Sequence, residues 1–363
     1  MKVDKASLLV LPVSSYDILI SMDDLIRLGA VINCQKNSIY FSMYKVRVTC
    51  DGKSRESRSA MTKPQEVRDF LAMFPKVFMQ EVPEEVPPVR YIMHRISLID
   101  LTKLWKTPSF KAPHALITKY KAWITKQMNG GILQRTSVPG GANMFVEAKP
   151  DGRIVPLGDL RFRNDNTQAD HTQIPEQNTI LNTVARARFP SKIDLTDAYF
   201  QTRVHPDDMK YNTIKTPFGG LTTQVMMQGD LNAPGTFVRS MEDLFHHELS
   251  KNIWVYIDDI FVFSNTFEDH VKDVTHACNK LQNAGYYANQ KKSVFFAPKL
   301  NILADIIDDD GIHPGPEKVR SIMNWTRPPS QKELQLFYGM VNYISQFIPN
   351  IATMTAPVTE SWH

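Results

Sequence analysis

The 363-residue sequence predicts an α+β fold. Two short runs of β-branched and aromatic residues, Ile253–Ile257 and Ile260–Phe263, are typical of buried strands. Elsewhere apolar residues recur at helical spacing, as in the stretch 113–128. With 42% hydrophobic and 22% charged residues the chain is globular, and it is long enough for two or three domains. No apolar run reaches membrane-spanning length, so we expect no membrane partner.

The predicted elements follow one another along most of the chain. Residues 67–74 have the apolar spacing of a helix, and residues 94–98 alternate as in a strand. A helix is predicted over Pro113–Met128 and ended by two glycines, and a further helical stripe runs from Phe237 to Leu249. Thr266 and Ser330 each precede an acidic residue by three positions, which indicates capped helix starts.

Asp258 and Asp259 lie between the two predicted strands, where no glycine or proline makes an ordinary turn. Adjacent carboxylates repel each other by roughly 4 kcal/mol near 4 Å at an effective dielectric of about 20, and burial adds a desolvation cost. The pair must therefore be protonated, exposed or neutralised by cations. A hairpin that carries both carboxylates at its tip and binds divalent metal there resolves the conflict. A polar tip without a ligand is the alternative, which the apolar flanking strands disfavour.

Three motifs carry a family resemblance. Tyr256-Ile257-Asp258-Asp259 resembles the Tyr-x-Asp-Asp box of reverse transcriptases. The segments 192–199 (Lys-Ile-Asp-Leu-Thr-Asp-Ala-Tyr) and 228–234 (Gln-Gly-Asp-Leu-Asn-Ala-Pro) resemble further motifs of the gypsy-type (Metaviridae) LTR-retrotransposon Pol polyprotein. Three motifs in this order are far more specific than one. The resemblance implies a right-hand polymerase with fingers, palm and thumb, and RNA-directed DNA polymerase activity.

The resemblance assigns catalysis and metal binding to Asp194, Asp258 and Asp259. Two metal ions bound only by the adjacent pair would lack a shared third carboxylate, which Asp194 supplies. The implied cofactors are two Mg²⁺ ions, with Mn²⁺ as an alternative, and the implied substrate is a deoxynucleoside triphosphate. Asp197 resembles a ligand when taken alone, and the family pattern gives it a structural role.

The incoming nucleotide is expected to meet Lys149, Leu195, Tyr199 and Gln228. Lys149 belongs to a strand–turn–strand segment that resembles the family's fingers hairpin, whose lysine and arginine grip the triphosphate. The Leu195 backbone carbonyl is an additional metal ligand in this interpretation. Tyr199 falls at the family's steric gate, where an aromatic ring crowds a ribose 2′-hydroxyl; taken alone it would be assigned to the core.

The sequence departs from the family pattern at four positions. Val155 stands where an arginine is expected, and Gly158 stands where valine or a similar residue is usual. Arg153 lies on the same face of a period-two strand as residue 155 and is a candidate replacement. Each missing charge-assisted phosphate bond removes roughly 1.5–3 kcal/mol. Residues 303–305 read Leu-Ala-Asp where the primer-grip turn usually reads Leu-Gly-His, which predicts an acid beside a primer phosphate.

An RNA or DNA template with its primer is the expected macromolecular partner, and the resemblance places it against Asp159, Arg161, Gly229 and Tyr256. The segment from 101 to 146 contains no acidic residue, a pattern typical of a surface that follows a phosphate backbone. A lysine-rich solvated surface explains this segment equally well when it is considered alone. Other products of a retroelement polyprotein are further expected partners, and the sequence does not determine an oligomeric state.

Four regions are expected: a truncated β-rich retropepsin-like remnant at 1–48, a linker at 49–88, reverse transcriptase fingers and palm at 89–312, and thumb-like helices at 313–363, truncated before RNase H. Residues 16–34 resemble the C-terminal end of the retroelement aspartic protease. No Asp-Thr/Ser-Gly loop occurs in the sequence, so we expect no protease dyad. The apolar run at 7–13 has no cleavage-site pattern, which predicts an intracellular protein, cytoplasmic in a virus-like particle or nuclear.

Two hypotheses of different classes remain. The first is an active RNA-directed DNA polymerase, which the complete set of three aspartates favours. The second is a decayed copy that folds and binds nucleic acid without polymerising, which the four departures from the family pattern favour.

Overall fold

The computed structural model describes residues 30–33, 38–41, 46–49, 64–79, 83–103, 114–148, 154–326, 328, 330–348 and 350–360. The chain divides into two compact units between Ser57 and Arg58. In the first unit three short strands form an antiparallel meander. They are β1 (Ala30–Asn33), β2 (Ser38–Phe41) and β3 (Val46–Thr49). Most of the run 16–34, on which the protease resemblance rests, lies outside the described residues.

The second unit contains a three-stranded antiparallel sheet in the order β10-β11-β7. Its strands are β7 (Phe189–Asp194), β10 (Ile253–Tyr256) and β11 (Asp259–Ser264). Alternate side chains face opposite sides of this sheet. One side, with Ile193, Val255 and Ile260, belongs to the largest apolar cluster, whereas the other side, with Phe261 and Phe263, belongs to a separate one.

Helices cover both sides of this three-stranded sheet. α1 (Pro64–Ala72), α5 (Ala233–Leu244) and α6 (Phe267–Asn283) contribute to the largest cluster, and α4 (Gln177–Arg186) contributes to the other. α1 lies within the segment expected to be a linker. Its Leu71, together with Phe74 just beyond it, is buried in the same cluster as Ile193, so this part of the segment is an integral part of the second unit.

A five-stranded sheet, ordered β4-β9-β8-β5-β6, forms a second layer. Its β5 and β8 pair in parallel, and its other neighbours pair antiparallel. α2 (Ile117–Asn129) packs on this sheet through Tyr120 and Ile124. The strands are β4 (Leu133–Arg135), β5 (Ala142–Ala148), β6 (Ile154–Asp159), β8 (Thr213–Thr216) and β9 (Gly219–Thr223).

The remaining elements of the second unit are a three-stranded antiparallel sheet and the C-terminal helices. The strands are β12 (Leu300–Ile302), β13 (Asp305–Asp308) and β14 (Gly311–Pro314). The helices are α7 (Pro316–Met323), α8 (Gln331–Tyr343) and α9 (Ile351–Glu360), and the short α3 (Arg161–Asn164) lies earlier in the chain. Within the described ranges no helix is long and apolar enough to cross a membrane.

Several local predictions can be compared with this fold. The helix predicted over 113–128 is a 3₁₀ turn followed by α2, which buries Tyr120 and Ile124. Thr266 and Ser330 both cap helices by accepting a backbone N–H three residues later. The strand predicted over 94–98 is wrong, because His94 and Leu98 form only isolated bridges and His94 uses its side chain for buried hydrogen bonds.

Candidate active site

A tight turn joins β10 to β11. Tyr256 pairs with Asp259, so only Ile257 and Asp258 form the turn. Ile257 has φ +52°, a left-handed conformation that is strained for a β-branched residue. Ile257 thus adopts the positive φ for which such turns usually use glycine. The expectation that both carboxylates lie at the tip is therefore wrong in one respect, since Asp259 is the first residue of β11.

The third predicted carboxylate lies beside the hairpin. Asp194, the last residue of β7, pairs with Asp259 across the antiparallel ladder. Directly paired residues face the same side of a sheet, so both side chains lie on one side, together with Tyr256. The Leu195 N–H donates to the Asp258 carbonyl at 3.4 Å, which connects β7 to the turn. The structure thus brings Asp194, Asp258 and Asp259 to one end of the sheet.

Asp258 is the electrostatically uncompensated member of this group. Its Oδ1 is buried and has no hydrogen-bond partner among the described residues. Burial, followed by the charges of Asp259 and Asp194, raises the pKa of Asp258 to about 6. The structure therefore leaves a carboxylate in a place where its negative charge is unfavourable unless a cation is added.

Two lysines contact the other carboxylates. Lys192 Nζ lies 2.7 Å from Asp259 Oδ2, and the more exposed Lys292 lies 3.8 Å from Asp194 Oδ1. Burial raises the pKa of Asp194, and this effect outweighs the opposing charge of Lys292. Neither lysine was predicted to have a role in this site. A signal for Lys192 was present, because a residue two positions before Asp194 in a strand faces the same side.

The three aspartates are not arranged as a preformed metal site. As the side chains stand, no three His, Cys, Asp or Glu residues in the described part of the chain form a group that could hold a metal ion. Lys192 and Lys292 instead engage two of the three carboxylates. The chemistry of the donors nevertheless fits, because Mg²⁺ prefers carboxylate oxygens and Asp258 Oδ1 is buried without a partner.

The backbone of Asp194 is fixed by a segment that runs along the free edge of β7. The Asn289 N–H donates to the Asp194 carbonyl at 2.8 Å, and the Asp194 N–H donates to Ser293 Oγ at 3.1 Å. Lys192 and Val294 exchange two further backbone hydrogen bonds, of 2.7 and 2.8 Å. A carboxylate held in this way has a defined position relative to the hairpin.

Tyr199 lies beside the aspartates, in the 3₁₀ turn Ala198–Gln201. Burial, followed by the charge of Asp258, raises the pKa of the Tyr199 hydroxyl to about 12. The ring packs edge-on against Phe237 at a centroid distance of 6.2 Å and remains half-buried. The predicted steric gate is thus next to the carboxylates and in contact with the core.

The predicted nucleotide-contacting loop is exposed at its tip and fixed beneath. Gln228 and Gly229 are exposed, and Gly229 has φ +89°, which favours glycine. Asn164 holds the loop through two hydrogen bonds, donating to the Gly229 carbonyl at 2.9 Å and accepting from the Leu231 N–H at 3.1 Å. The loop is therefore attached to α3.

Asp230 anchors this loop in a buried polar network. Its Oδ2 accepts from Arg163 Nη2 and lies 2.9 Å from His94 Nε2, while Arg163 Nη1 donates to Asn212 Oδ1 at 2.6 Å. Burial acts to raise the pKa of Asp230, but Arg163 and His94 hold that pKa below its usual value. This network was not predicted, because opposite charges far apart in sequence give no local signal of their pairing.

The other predicted residues occupy varied positions. Asp159 and Arg161 pair with each other through two bonds of 2.8 Å, and the Arg161 side chain is largely exposed. The Tyr256 hydroxyl accepts a hydrogen bond of 2.6 Å from Gln177 Nε2. Lys149 lies outside the described residues, as does the side chain of Val155, whose backbone pairs with Glu147 in the β5–β6 hairpin.

The expectation for Asp305 is wrong. Its side chain is almost fully buried at the start of β13, where Oδ1 accepts from Lys318 Nζ at 2.7 Å and from the Gly315 N–H at 3.3 Å. Leu303 and Ala304 both take positive φ in the preceding turn, at +51° and +64°. The carboxylate is neutralised inside the protein, so it does not present an acid to a primer phosphate.

Residues 151–321 match the model of the family described as reverse transcriptase (RNA-dependent DNA polymerase). Among curated proteins, the Retrovirus-related Pol polyprotein from transposon 297 of Drosophila melanogaster is 30% identical over 243 residues, which cover 65% of this chain and 23% of that polyprotein. The Transposon Tf2-3 polyprotein of Schizosaccharomyces pombe is 24% identical over 301 residues, covering 83% of this chain and 23% of the relative. The chain thus spans about a quarter of the length of these relatives.

Solved structures show the same fold. The foamy viral protease-reverse transcriptase in complex with double-stranded DNA superposes with a TM-score of 0.73 and 22% identity, covering 85% of this chain and 54% of that one. Its complex with an RNA/DNA hybrid gives a TM-score of 0.67 and 21% identity, covering 85% and 42%. The predicted right-hand polymerase fold is therefore confirmed.

Proposed function

We propose that this chain is an RNA-directed DNA polymerase of a gypsy-type LTR-retrotransposon Pol polyprotein. The proposal starts from its similarity to the reverse transcriptase family and to transposon Pol polyproteins. The observation that carries the proposal is the convergence of Asp194, Asp258 and Asp259 at one end of the sheet, where Oδ1 of the half-buried Asp258 has no hydrogen-bond partner among the described residues. Three carboxylates that a protein leaves insufficiently compensated are the ligands that a two-metal nucleotidyl transferase needs.

In this proposal the three aspartates hold two divalent ions, Mg²⁺ with Mn²⁺ as an alternative, and the Leu195 carbonyl adds a ligand. When bound, such ions activate the primer 3′-hydroxyl and neutralise charge on the triphosphate. The chain's own residues supply the rest of the site. Tyr199 limits the space beside the sugar, and its contact with Phe237 keeps the ring in place.

The exposed Gln228 contacts the incoming nucleotide, and its loop is held from below by Asp230. Lys149 holds the triphosphate. Tyr256 and Gly229, together with the Asp159–Arg161 pair, contact the template and primer. Preorganised positions of this kind lower the entropic cost of bringing the primer end and nucleotide together.

The proposed partner is an RNA or DNA template with an annealed primer. The foamy viral relative has been solved with double-stranded DNA and with an RNA/DNA hybrid, and the acid-free segment from 101 to 146 supplies positive charge. Affinity should fall steeply with salt and depend little on sequence, because phosphate contacts release counterions. Other polyprotein products remain proposed partners, in a cytoplasmic virus-like particle or the nucleus.

The proposed organisation keeps the boundaries at 48, 88 and 312, but the 49–88 segment is a linker only before α1, which packs into the core of the second unit. The meander β1–β3 is compatible with a β-rich protease remnant, and the helices from α7 onward with a thumb. We propose no protease activity, since the sequence contains no Asp-Thr/Ser-Gly loop.

A decayed copy that binds nucleic acid without polymerising is the second candidate. Val155 favours it, because a valine cannot make the bidentate phosphate contact of an arginine. Asp305 no longer supports it, since its carboxylate is paired with Lys318 inside the protein.

Primer extension on matched RNA and DNA templates, with Mg²⁺ or Mn²⁺, distinguishes the two. The polymerase proposal predicts extension by the wild-type chain and none by Asp258→Asn, while both bind primer–template in a gel-shift assay. Binding by both proteins without extension by either would overturn the polymerase proposal and establish the second candidate.

A further inference from the structure

The ion pair between Lys192 and Asp259 occupies one of the proposed metal ligands. Lys192 Nζ and Asp259 Oδ2 are 2.7 Å apart, and the two side chains are only 19% and 21% exposed. An ion pair screened by water contributes little, whereas a partly buried one is held more strongly. The Lys192 ammonium group therefore already pairs with Asp259 when no metal is bound.

The sheet register explains why Lys192 reaches this carboxylate. Asp194 is directly opposite Asp259, and Lys192 is directly opposite Phe261. Lys192 and Asp259 are consequently diagonal neighbours on one side of the antiparallel pair, within reach of a long side chain. Lys292 provides a contrast, because its side chain is 67% exposed and its Nζ is 3.8 Å from Asp194 Oδ1.

We propose that Lys192 competes with divalent metal for Asp259 and so sets the metal concentration at which the three-aspartate site fills. This inference rests on the proposed function, because it takes the three aspartates as metal ligands. The lysine ammonium partly neutralises the Asp259 carboxylate before a metal arrives. In this proposal a divalent ion binds Asp259 through Oδ2, which separates the 2.7 Å pair.

Mn²⁺ titration of the chain without nucleic acid, followed by electron paramagnetic resonance of free Mn²⁺, tests the proposal. Lys192→Met removes the competitor and should lower the Mn²⁺ dissociation constant about tenfold, equivalent to ~1.4 kcal/mol. The matched control is Lys291→Met, which removes the same charge from an exposed neighbour that forms no ion pair within the described ranges. This control should change the dissociation constant less than about twofold, since exposed charges are screened.

A second pair of variants isolates the contact. In an Asp259→Asn background, Lys192→Met should leave Mn²⁺ affinity unchanged, because the ion pair is already absent. Lys192→Arg preserves the positive charge and should bind Mn²⁺ no more tightly than wild type. Lys192→Gln serves as a neutral variant if the methionine variant does not fold.

The outcomes separate this inference from the proposed function. Equal Mn²⁺ binding by wild type and Asp258→Asn would overturn the proposed metal site and the competition with it. A site that depends on Asp258 but has the same affinity in Lys192→Met and Lys291→Met would overturn the competition alone. Weaker binding by Lys192→Met would also overturn it, and would mean that Lys192 orients Asp259 for the metal.

Discussion

Two groups of charged residues in the second unit are built on opposite principles. At the base of the Gln228 loop, Arg163 and Asp230 are almost completely buried, and each charge has a partner. At the hairpin, three carboxylates meet two lysines, and Asp258 Oδ1 has no partner in the described part of the chain. The pKa of Asp230 is lowered, whereas that of Asp258 is raised to about 6.

The difference shows which group has its charges compensated within the protein. The charges of Arg163 and Asp230 compensate each other, although Arg163 Nε is buried without a hydrogen-bond partner, and the pair helps to hold α3 and the Gln228 loop together. The hairpin is incomplete, and a carboxylate whose charge is left uncompensated indicates where an external cation belongs. Substitutions in the two groups should therefore affect stability in opposite directions.

The largest expected effect is the loss of activity in Asp258→Asn. Nucleotide incorporation should fall at least about a thousandfold, because the variant lacks a carboxylate on which charge stabilisation depends. The metal-free variant should at the same time be more stable by about 1 kcal/mol near pH 7. Because the pKa of Asp258 is raised to about 6 in the folded protein, the free energy of unfolding of the wild type falls as pH rises from the usual aspartate pKa to about 6. Asparagine does not ionise, so the variant avoids this loss. The loss is limited to about 1 kcal/mol because Asp258 is partly exposed to solvent.

Single-nucleotide incorporation and urea unfolding of the same preparations check both parts. A destabilised Asp258→Asn variant would contradict the view that this carboxylate is uncompensated.

Next in size is the stability of the buried pair. Asp230→Asn should lower the free energy of unfolding by roughly 3–5 kcal/mol, because it leaves the Arg163 charge buried without a counter-charge. Replacing both residues by leucine should recover most of that loss, since an apolar pair needs no counter-charge. Urea denaturation of Asp230→Leu, Arg163→Leu and the double leucine variant measures the coupling. Additive losses would show that the two charges do not depend on each other.

Val155→Arg should raise catalytic efficiency about thirtyfold, mainly through nucleotide affinity. A restored guanidinium adds a bidentate donor for phosphate oxygens, worth roughly 2 kcal/mol. Steady-state kinetics with a matched template separates KM from kcat. Val155→Lys is the control for charge alone and should recover less. An unchanged efficiency, with Asp258→Asn still inactive, would show that Arg153 already supplies the contact.

The smallest expected effect is the pH dependence of stability that comes from His270. This residue belongs to α6 and is fully buried against β7 and β11. Its ring nitrogens are 2.8 Å from Ser191 Oγ and 3.1 Å from Ser264 Oγ, and burial lowers its pKa from 6.5 to about 3. The unfolded chain takes up this proton at a higher pH than the folded chain. The free energy of unfolding should therefore fall by about 1 kcal/mol between pH 6.5 and 5.5.

His270→Gln should lose this contribution, so the difference between the two pH profiles isolates it. Parallel profiles for wild type and variant would show that His270 is protonated without cost in the folded protein.

The sequence allowed a good prediction of the active-site strands and of the aspartates that meet there. Strand composition and the Tyr-Ile-Asp-Asp order were sufficient, because neighbouring strands of a hairpin pair locally. The turn was misplaced by one residue, since nothing in the sequence indicates that Ile257 takes a positive φ. Asp194 was placed beside the pair through the family pattern, which supplies the long-range contact that one sequence does not.

Other features depend on contacts between residues far apart in sequence. The pairing of Arg163 with Asp230 and of Asp305 with Lys318 follows from the packed fold, and a charged residue in a single sequence resembles a solvated one. The packing of α1 into the main core was hidden by the charged and proline-rich segments on either side of it.

The thermal stability of the wild-type chain in increasing Mg²⁺ most directly tests the central claim that the hairpin is completed by a cation. A ligand that binds only the folded state raises the melting temperature. Relative to a chelator, Mg²⁺ should raise the melting temperature of the wild type in a saturable manner and have a much smaller effect on Asp258→Asn. The same rise in both proteins, or none in the wild type, would contradict the account.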